Sequence, residues 1–583
     1  MPMKYGYSRV FSFFWQFMRP YKGEFILATM LAAVKSCLAL YPVFAFAQIV
    51  TFFQKYTPGQ SLESIYTILV FWLIVVVIER ITSFSEKYIG RTTDEYVANS
   101  IEFHSVRHLS LLDISWHEKE STGNKMKRIS RGASAFSNLS RVWLESVIDI
   151  VISFVGALVI ISHFDRTLAS LIVGYQIVYY LLSLSTRKQG FKAMKAANTK
   201  DEELTGLWYE IVSNIRSIKV LGMSSKILEY SKVYSSELHK YVKRRIFWFQ
   251  GSGVVQGIWI GIVRVGFIFL IIHGILKGQY EAGFLIIFYG YFNTLTSAVG
   301  KLTDVSQEIG EIRINVGKLL EILDEPITID TTVGKRAFPE SWDVLHIKNL
   351  SFKYGENEVL KNIDLSIKKG EKIGIVGLSG AGKSTLFKLL LKEHESYDGE
   401  ILIGDVPLTT IEKSSYVRHV AAVLQETEVF NMSLRQNIVL ANGDEENNTR
   451  LLDRSLSIAH VIDFISRLPQ GLNTLIGEKG IRLSGGERQR LGIARAVFKK
   501  PQILFLDEAT SHLDVESEQK IQDSLDKFFN DVTAVVIAHR LSTIRKMDRI
   551  IVLEGGRIIE SGTFDELHAK DARFREFWDK QKA

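Results

Sequence analysis

The run Gly377-Leu378-Ser379-Gly380-Ala381-Gly382-Lys383-Ser384 has the spacing of a phosphate-binding loop. Its glycines let backbone N–H groups close around phosphate oxygens, so Gly377, Ser379, Gly380, Ala381 and Gly382 are the candidate cradle. The apolar stretch Lys372–Val376 precedes the loop and the helical stretch Thr385–Lys392 follows it, which sets a helix N-terminus behind the anion. Lys383 suits the β- and γ-phosphates and Ser384 suits Mg²⁺, with Thr385 beside them in the first helical turn. A second apolar run, Ile503–Leu506, ends in Asp507 and Glu508. Alone such a pair could cap the next helix. After a phosphate loop it reads as a Mg²⁺ ligand, Asp507, and a general base for the attacking water, Glu508. This strand is expected to emerge beside the loop. Between the two motifs, Leu483-Ser484-Gly485-Gly486-Glu487-Arg488-Gln489-Arg490 opens a helical run to Phe498. A serine and two glycines at a helix start form either a second anion site or an ordinary N-cap, and the residues alone leave both open.

From Val344 onward, short β-rich runs alternate with helical stretches, which predicts a largely parallel sheet flanked by helices. The first 300 residues differ. Six apolar runs of bilayer length recur there, at Phe25–Val50, Leu62–Ile81, Val142–Ser162, Thr167–Leu184, Gly253–Gly274 and Ala282–Val299. The loops after the first, third and fifth runs are short, with one basic residue each: Lys55, Arg166 and Lys277. Those after the second and fourth are long, helical in pattern and basic, containing Lys125, Lys127, Arg128 and Arg131, then Lys240, Lys243, Arg244 and Arg245. Positive charge marks the cytoplasmic side, and an even number of spans returns the C-terminal domain there. Net charge +7 therefore reads as loop topology rather than nucleic-acid binding. The aromatic-rich segment Ser8–Arg19 suits an uncleaved helix in the membrane interface. One cysteine, Cys37, excludes intrachain disulfides and a cysteine-rich metal site. The expected organisation is a membrane domain over 1–325, a linker over 326–343 and a nucleotide-binding domain over 344–583.

The loop, the acidic pair and the Leu483–Arg490 sequence together resemble the ABC transporter superfamily, specifically its bacterial exporter-type half-transporters, most closely over Val344–Ser561. The resemblance implies a six-span α-helical membrane domain fused to an α/β ATPase with a helical subdomain, using ATP and Mg²⁺. It also implies roles for further residues. Tyr354 matches the aromatic that stacks on adenine, and Gln425 the glutamine that senses Mg²⁺ and contacts the membrane domain. Glu478 matches an acidic exporter loop, and Ser511-His512-Leu513-Asp514 the segment crossing the dimer interface. His539, after the apolar Val536–Ala538, matches the histidine on the γ-phosphate. Ser484, Gly485, Gly486 and Glu487 become the signature that closes on ATP held by a partner subunit. Glu487 stands where glutamine is commonest and His512 where alanine is usual. Asp113–Arg131 and Glu210–Met223 are similar to the family's coupling regions, although acidic positions usual in the first are absent at Gly132–Ala135.

The expected function is ATP-driven export or flipping of a lipid, drug or other amphiphile across the cytoplasmic membrane. The expected partners are a second half-transporter subunit (homodimer favoured, heterodimer possible), membrane lipids and an unidentified small-molecule or lipid substrate, with no nucleic acid. A peptide or glutathione-conjugate exporter is the alternative, lowered in its leader-processing form because no peptidase-like segment precedes the spans. A non-transporting ATP-gated regulator or channel is a third reading, against which stand the intact catalytic positions. Importers and soluble ABC ATPases are disfavoured by the fused six spans. Lys35 and Arg264 fall inside apolar runs and are either path cations that meet an anionic or amphipathic substrate, or structurally paired, for instance with Asp149 or Glu145, or snorkelling toward an interface. For Phe284, Phe288, Tyr289, Tyr291 and Phe292, packing or lipid contact is favoured over a substrate path.

Overall fold

The computed structural model describes residues 5–118, 122–327, 335–425, 427–477, 481–507, 524–525, 528–529, 532–537, 544–570 and 572–582. The chain forms two compact units, Met1–His108 with Gly123–Asp324, and Leu109–Thr122 with Glu325–Ala583.

The first unit is helical. Helix α1 (Tyr7–Met18) buries Val10, Phe13, Phe14 and Met18 and leaves Tyr7, Phe11 and Trp15 exposed. Phe14 stacks on Phe136 at 4.5 Å, so the lead helix has a protein face and an aromatic outer face. Among the described residues, six helical segments are long and apolar enough to cross a membrane. The first is broken into α2 (Lys22–Leu38) and α3 (Tyr41–Gln54), where the expected run Phe25–Val50 was continuous. Pro42 in the first turn of α3 lacks an N–H to donate backward and its ring crowds the preceding turn, which accounts for the break. The others lie within α4 (Glu63–Leu111); a π-helical turn (Val142–Val147) leading into α7 (Ile148–Phe164); α8 (Arg166–Ser213); α10 (Ser224–Leu276); and α11 (Ala282–Leu323). Short helix α9 (Ile215–Val220) and the longer α6 (Thr122–Arg141) connect them, whereas α5 (Ile114–Glu118) belongs to the second unit.

At about 1.5 Å per residue, the 53 residues of α10 span about 80 Å, far more than a bilayer core of about 30 Å. The basic loops are thus continuations of spanning helices. Helices α8 and α11 run parallel, joined by Ser183–Thr303 at 3.2 Å and Gln176 donating to Thr296 at 3.4 Å. Gly283 and Gly290 let α11 approach α3: a Cβ on Gly283 would meet Thr51 Oγ1 at 2.0 Å and the Ala47 carbonyl at 2.7 Å.

The second unit holds two larger sheets. Strands β1 (Val344–Tyr354), β2 (Asn357–Lys368), β4 (Asp398–Ile403) and β5 (Val406–Pro407) pair antiparallel in the order β2-β1-β4-β5. The other sheet runs β12-β11-β3-β10-β9-β6, from β3 (Lys372–Val376), β6 (Val420–Val423), β9 (Ile503–Asp507), β10 (Thr533–Ile537), β11 (Arg549–Glu554) and β12 (Arg557–Gly562). All its pairings are parallel except β11 with β12. Strands buried on both faces explain the continuous apolar runs Lys372–Val376 and Ile503–Leu506. Helix α12 (Lys383–Leu390) follows β3, and α13 (Lys413–His419) precedes β6. Between β6 and β9 lie α14 (Leu434–Val439), α15 (Thr449–Ile458), α16 (Ile462–Ile465) and α17 (Gly485–Phe498), the helical subdomain.

Candidate nucleotide site and membrane path

Four parallel strands end level with one another. Ile375 of β3 pairs with Ile537 of β10, Ile537 pairs with Asp507 of β9, and Leu506 pairs with Val423 of β6. The phosphate loop, Asp507 and Gln425 therefore emerge from one edge of one sheet, the crevice where open α/β folds bind ligands. One detail differs from the sequence expectation. Strand β9 does not neighbour β3, because β10 lies between them, so Asp507 stands two strand spacings, about 10 Å, from the end of β3.

The loop is built for backbone approach. Gly380 and Gly382 have φ of +81° and +101°, a region that side chains disfavour. A Cβ on Gly377 would meet the Leu553 carbonyl oxygen at 2.2 Å, and one on Gly382 would meet Leu360 Cδ2 at 2.8 Å. Lys383 is buried and donates to the loop carbonyls of Gly377 at 2.8 Å and Leu378 at 3.1 Å. Its ammonium thus lies over the cradle, while Ser379, Gly380 and Ser384 are exposed, with Ala381 packed beneath and Thr385 half-buried. The exposed Ser384 hydroxyl, the Gln425 side chain and the Asp507 carboxylate are an all-oxygen donor set, which suits Mg²⁺ as a hard cation. Beyond α12, Lys392 is buried, donates to the Leu408 and Ile411 carbonyls, and pairs with Glu395 at 3.0 Å. Burial lowers its pKa and Glu395 opposes that shift, so this ammonium anchors the end of the helix. Tyr354, at the end of β1, is 39% exposed, with its ring edge-on to Phe352 and His394.

At the signature, Ser484 is the N-cap of α17. Its hydroxyl accepts from the Glu487 N–H at 3.3 Å, and the Glu487 carboxylate accepts from the Ser484 N–H at 2.8 Å, completing a capping box. Glu487 also pairs with Arg467 at 3.1 Å. The N-cap is therefore realised, and the exposed Ser484 hydroxyl keeps its own proton to donate, with Gly485 and Gly486 half-buried in the first turn. Glu508, His539, Glu478 and Ser511–Asp514 lie outside the described residues.

Two positioning residues were missed by motif reading. Arg495 of α17 donates to the Asn437 carbonyl and side-chain oxygens, both at 2.7 Å, and to the Glu428 carbonyl at 2.6 Å. It also lies over the Phe430 ring at 5.5 Å. Asn437, fully buried, returns bonds to Phe430, Met432 and Ser433. This ties the segment after Gln425 to the signature helix. The signal was a charge one turn from Leu491 and Phe498 on a buried apolar stripe.

In the membrane unit, Lys35 pairs with Glu86, which is 1% exposed, at 2.9 Å. This acid is neither of the two named from the sequence; Asp149 instead accepts from Ser36 and Lys301. Arg264 differs. It lies over the rings of Tyr289 at 5.5 Å and Phe292 at 5.8 Å, and its Nε is buried with no hydrogen-bond partner among the described residues. Such ring contacts contribute about 0.5–2 kcal/mol, less than the roughly 2.5–3.5 kcal/mol an arginine costs at a helix centre on insertion scales. Phe284, Phe288, Tyr291 and Phe292 are core residues, and Tyr289 is 47% exposed.

The family model described as ABC transporter matches residues 360–511, and that described as ABC transporter transmembrane region matches residues 25–299. The alpha-hemolysin translocation ATP-binding protein HlyB of Escherichia coli is 32% identical over 509 residues, covering 85% of this chain and 69% of the relative. The leukotoxin translocation ATP-binding protein LktB of Mannheimia glucosida is 31% identical over the same coverage. The solved structure of a bacterial Atm1-family ABC exporter with ATP bound has the same fold, with TM-score 0.86 and 24% identity over 96% of this chain and 99% of that one. Both models match in order along one chain whose spans, sheet and phosphate loop are those already described, and the chain therefore belongs to the ABC transporter family, as an exporter-type half-transporter with an ATPase coupled to transport.

Proposed function

We propose that this chain exports or flips an amphiphile, a lipid or drug, across the cytoplasmic membrane as a homodimer with its ATPase units in the cytosol. The observation that carries the substrate class is a cavity of about 650 Å³ formed by α3, α4, α7 and α11 and the loops at their outer ends. Phe44, Phe52, Phe164, Tyr280 and Phe284 wall it, and Gln48, Gln279 and the Lys55–Glu281 ion pair add polar groups. Apolar walls with a few polar groups fit a molecule that is itself divided in this way.

Each ATP would lie between the phosphate loop of one subunit and Ser484, Gly485 and Gly486 of the other, with Tyr354 against the adenine. Ser384, Gln425 and Asp507 would hold Mg²⁺, which supplies charge neutralisation at the phosphates. Lys383 neutralises the β- and γ-phosphates, Glu508 accepts the proton of the attacking water, and His539 fixes the γ-phosphate against it. ATP drives closure only through its better binding to the closed dimer. Asp113–Arg131 and Glu210–Met223 would carry that closure to the membrane helices.

The test is ATP hydrolysis by the singly expressed chain in lipid nanodiscs. We expect activity in the wild type and a loss of at least about a hundred-fold in E508Q, with ATP binding retained. An inactive but ATP-binding wild type would replace the homodimer by a heterodimer, and near-normal turnover in E508Q would remove Glu508 from the mechanism. A second reading, peptide export, is favoured by the relatives named for toxin translocation. Stimulation of the ATPase by unfolded polypeptide and not by amphiphiles would establish it instead.

A further inference from the structure

We propose that the cavity at the outer end of the membrane unit is a site for a zwitterionic lipid headgroup, with Lys55 taking its phosphate and Glu281 its ammonium. This rests on the amphiphile reading above and assigns its chemical class: a phosphoethanolamine-type headgroup, one negative and one positive charge, carried on an acyl tail.

The two charges lie together at the rim. Lys55 and Glu281 pair at 2.5 Å and both line the cavity, where they are the charged members of its wall among the described residues. Each is placed by its own helix end rather than by the other. Lys55 is the C-cap of α3 and Glu281 the N-cap of α11, so each charge has the sign that its helix dipole favours. A separate join links the same two ends, because the Ala282 N–H donates to the Gln54 side-chain oxygen at 3.2 Å. Both charged side chains are more than half exposed, and an exposed ion pair holds itself closed only weakly. A zwitterion can therefore open the pair and give each charge a new partner. An anion pairs with Lys55 but strands Glu281 beside it, and an uncharged headgroup leaves the pair closed.

The wall below the rim suits the tail. Ala47, Phe284 and Ile287 line it as buried residues, and Phe44 lies about 16 Å along α3 from Lys55. Half of a bilayer core is about 15 Å, so the cavity has the depth of one leaflet. Its charged end is at the outer surface and its apolar end points toward the midplane, the polarity of a lipid in the outer leaflet. Asp165 is occupied elsewhere: it caps α8 and accepts the hydroxyl of Tyr280, which also lines the cavity.

The test uses the full chain in dodecyl maltoside, whose headgroup is uncharged, and native mass spectrometry. The probes share one palmitoyl chain: lysophosphatidylethanolamine, lysophosphatidylglycerol and monopalmitoylglycerol. We expect the wild type to retain the ethanolamine lipid at concentrations at least about five-fold lower than either of the others. E281Q should bring the two phospholipids within about two-fold of each other, and K55Q should weaken both relative to monopalmitoylglycerol. K55E/E281K, which exchanges the charges, should restore the wild-type order. Equal retention of the two phospholipids by the wild type, or an undiminished preference in E281Q, overturns the site while leaving amphiphile export standing. Equal loss of all the probes in K55Q and E281Q, with their order unchanged, would assign the pair to holding α3 against α11 and also overturn the site. Retention of none of the probes by the wild type overturns the amphiphile reading and the site with it.

Discussion

Glu487 closes the capping box on Ser484 and reaches Arg467, a role that requires no nucleotide. Glutamine at that position can close the same box, and Arg467 is 70% exposed, so the ion pair adds little. E487Q should therefore leave the thermal midpoint of the ATPase unit within about 1 °C. E487A, which leaves the Ser484 N–H without its acceptor, should cost about 1 kcal/mol and lower that midpoint by about 2–4 °C. Equal shifts in the two variants would show that charge rather than capping is what the position needs. Lys383 illustrates the complementary case. Its bonds to the Gly377 and Leu378 carbonyls compensate the ammonium's burial, and both carbonyls are in the loop that ATP phosphates would fill.

At the scale of elements, Arg495 joins α17 to the segment between β6 and α14. Its removal takes the Arg495 donor from the Asn437 and Glu428 carbonyls, while the buried Asn437 side-chain oxygen keeps the Phe430 N–H at 3.0 Å, a loss of about 1–3 kcal/mol. R495A should lower both thermal stability and ATP turnover, and R495K, which keeps the charge but not the planar fork, should fall between. Wild-type turnover in R495A would separate this joint from catalysis. In the membrane unit the comparable joint is steric. G283A places a methyl on Thr51 and the Ala47 carbonyl, which should cost about 1–3 kcal/mol and reduce the yield of folded protein in detergent, while A282G, next to it, should not. Equal yields would mean that α3 and α11 separate freely there.

For the molecule as a whole, the basic loops decide orientation. Cys37 is the single cysteine, so C37S gives a background in which sidedness can be read. A cysteine replacing Ser61, on the exposed loop before α4, should react with a membrane-impermeant maleimide in intact cells. One replacing Ser236, exposed on the first part of α10, should react only after permeabilisation. The opposite pattern would invert the topology. The lengths of α4, α8 and α10 make this a separation of tens of ångströms, too large for local fraying to confuse.

Six spans, the βα alternation and the phosphate loop were legible in the sequence because each depends on local chemistry. A span needs about twenty apolar residues, a strand buried on both faces needs a continuous apolar run, and a phosphate cradle needs glycine at fixed offsets. Other features depend on residues distant in sequence, and only the tertiary structure decided them. Strand order placed β10 between the phosphate loop and Asp507, which spacing along the chain cannot reveal. Lys35 and Arg264 looked alike as charges in apolar runs. Packing gave one a carboxylate from α4 and left the other over two aromatic rings, because pairing in a low-dielectric interior is settled by which helix faces which.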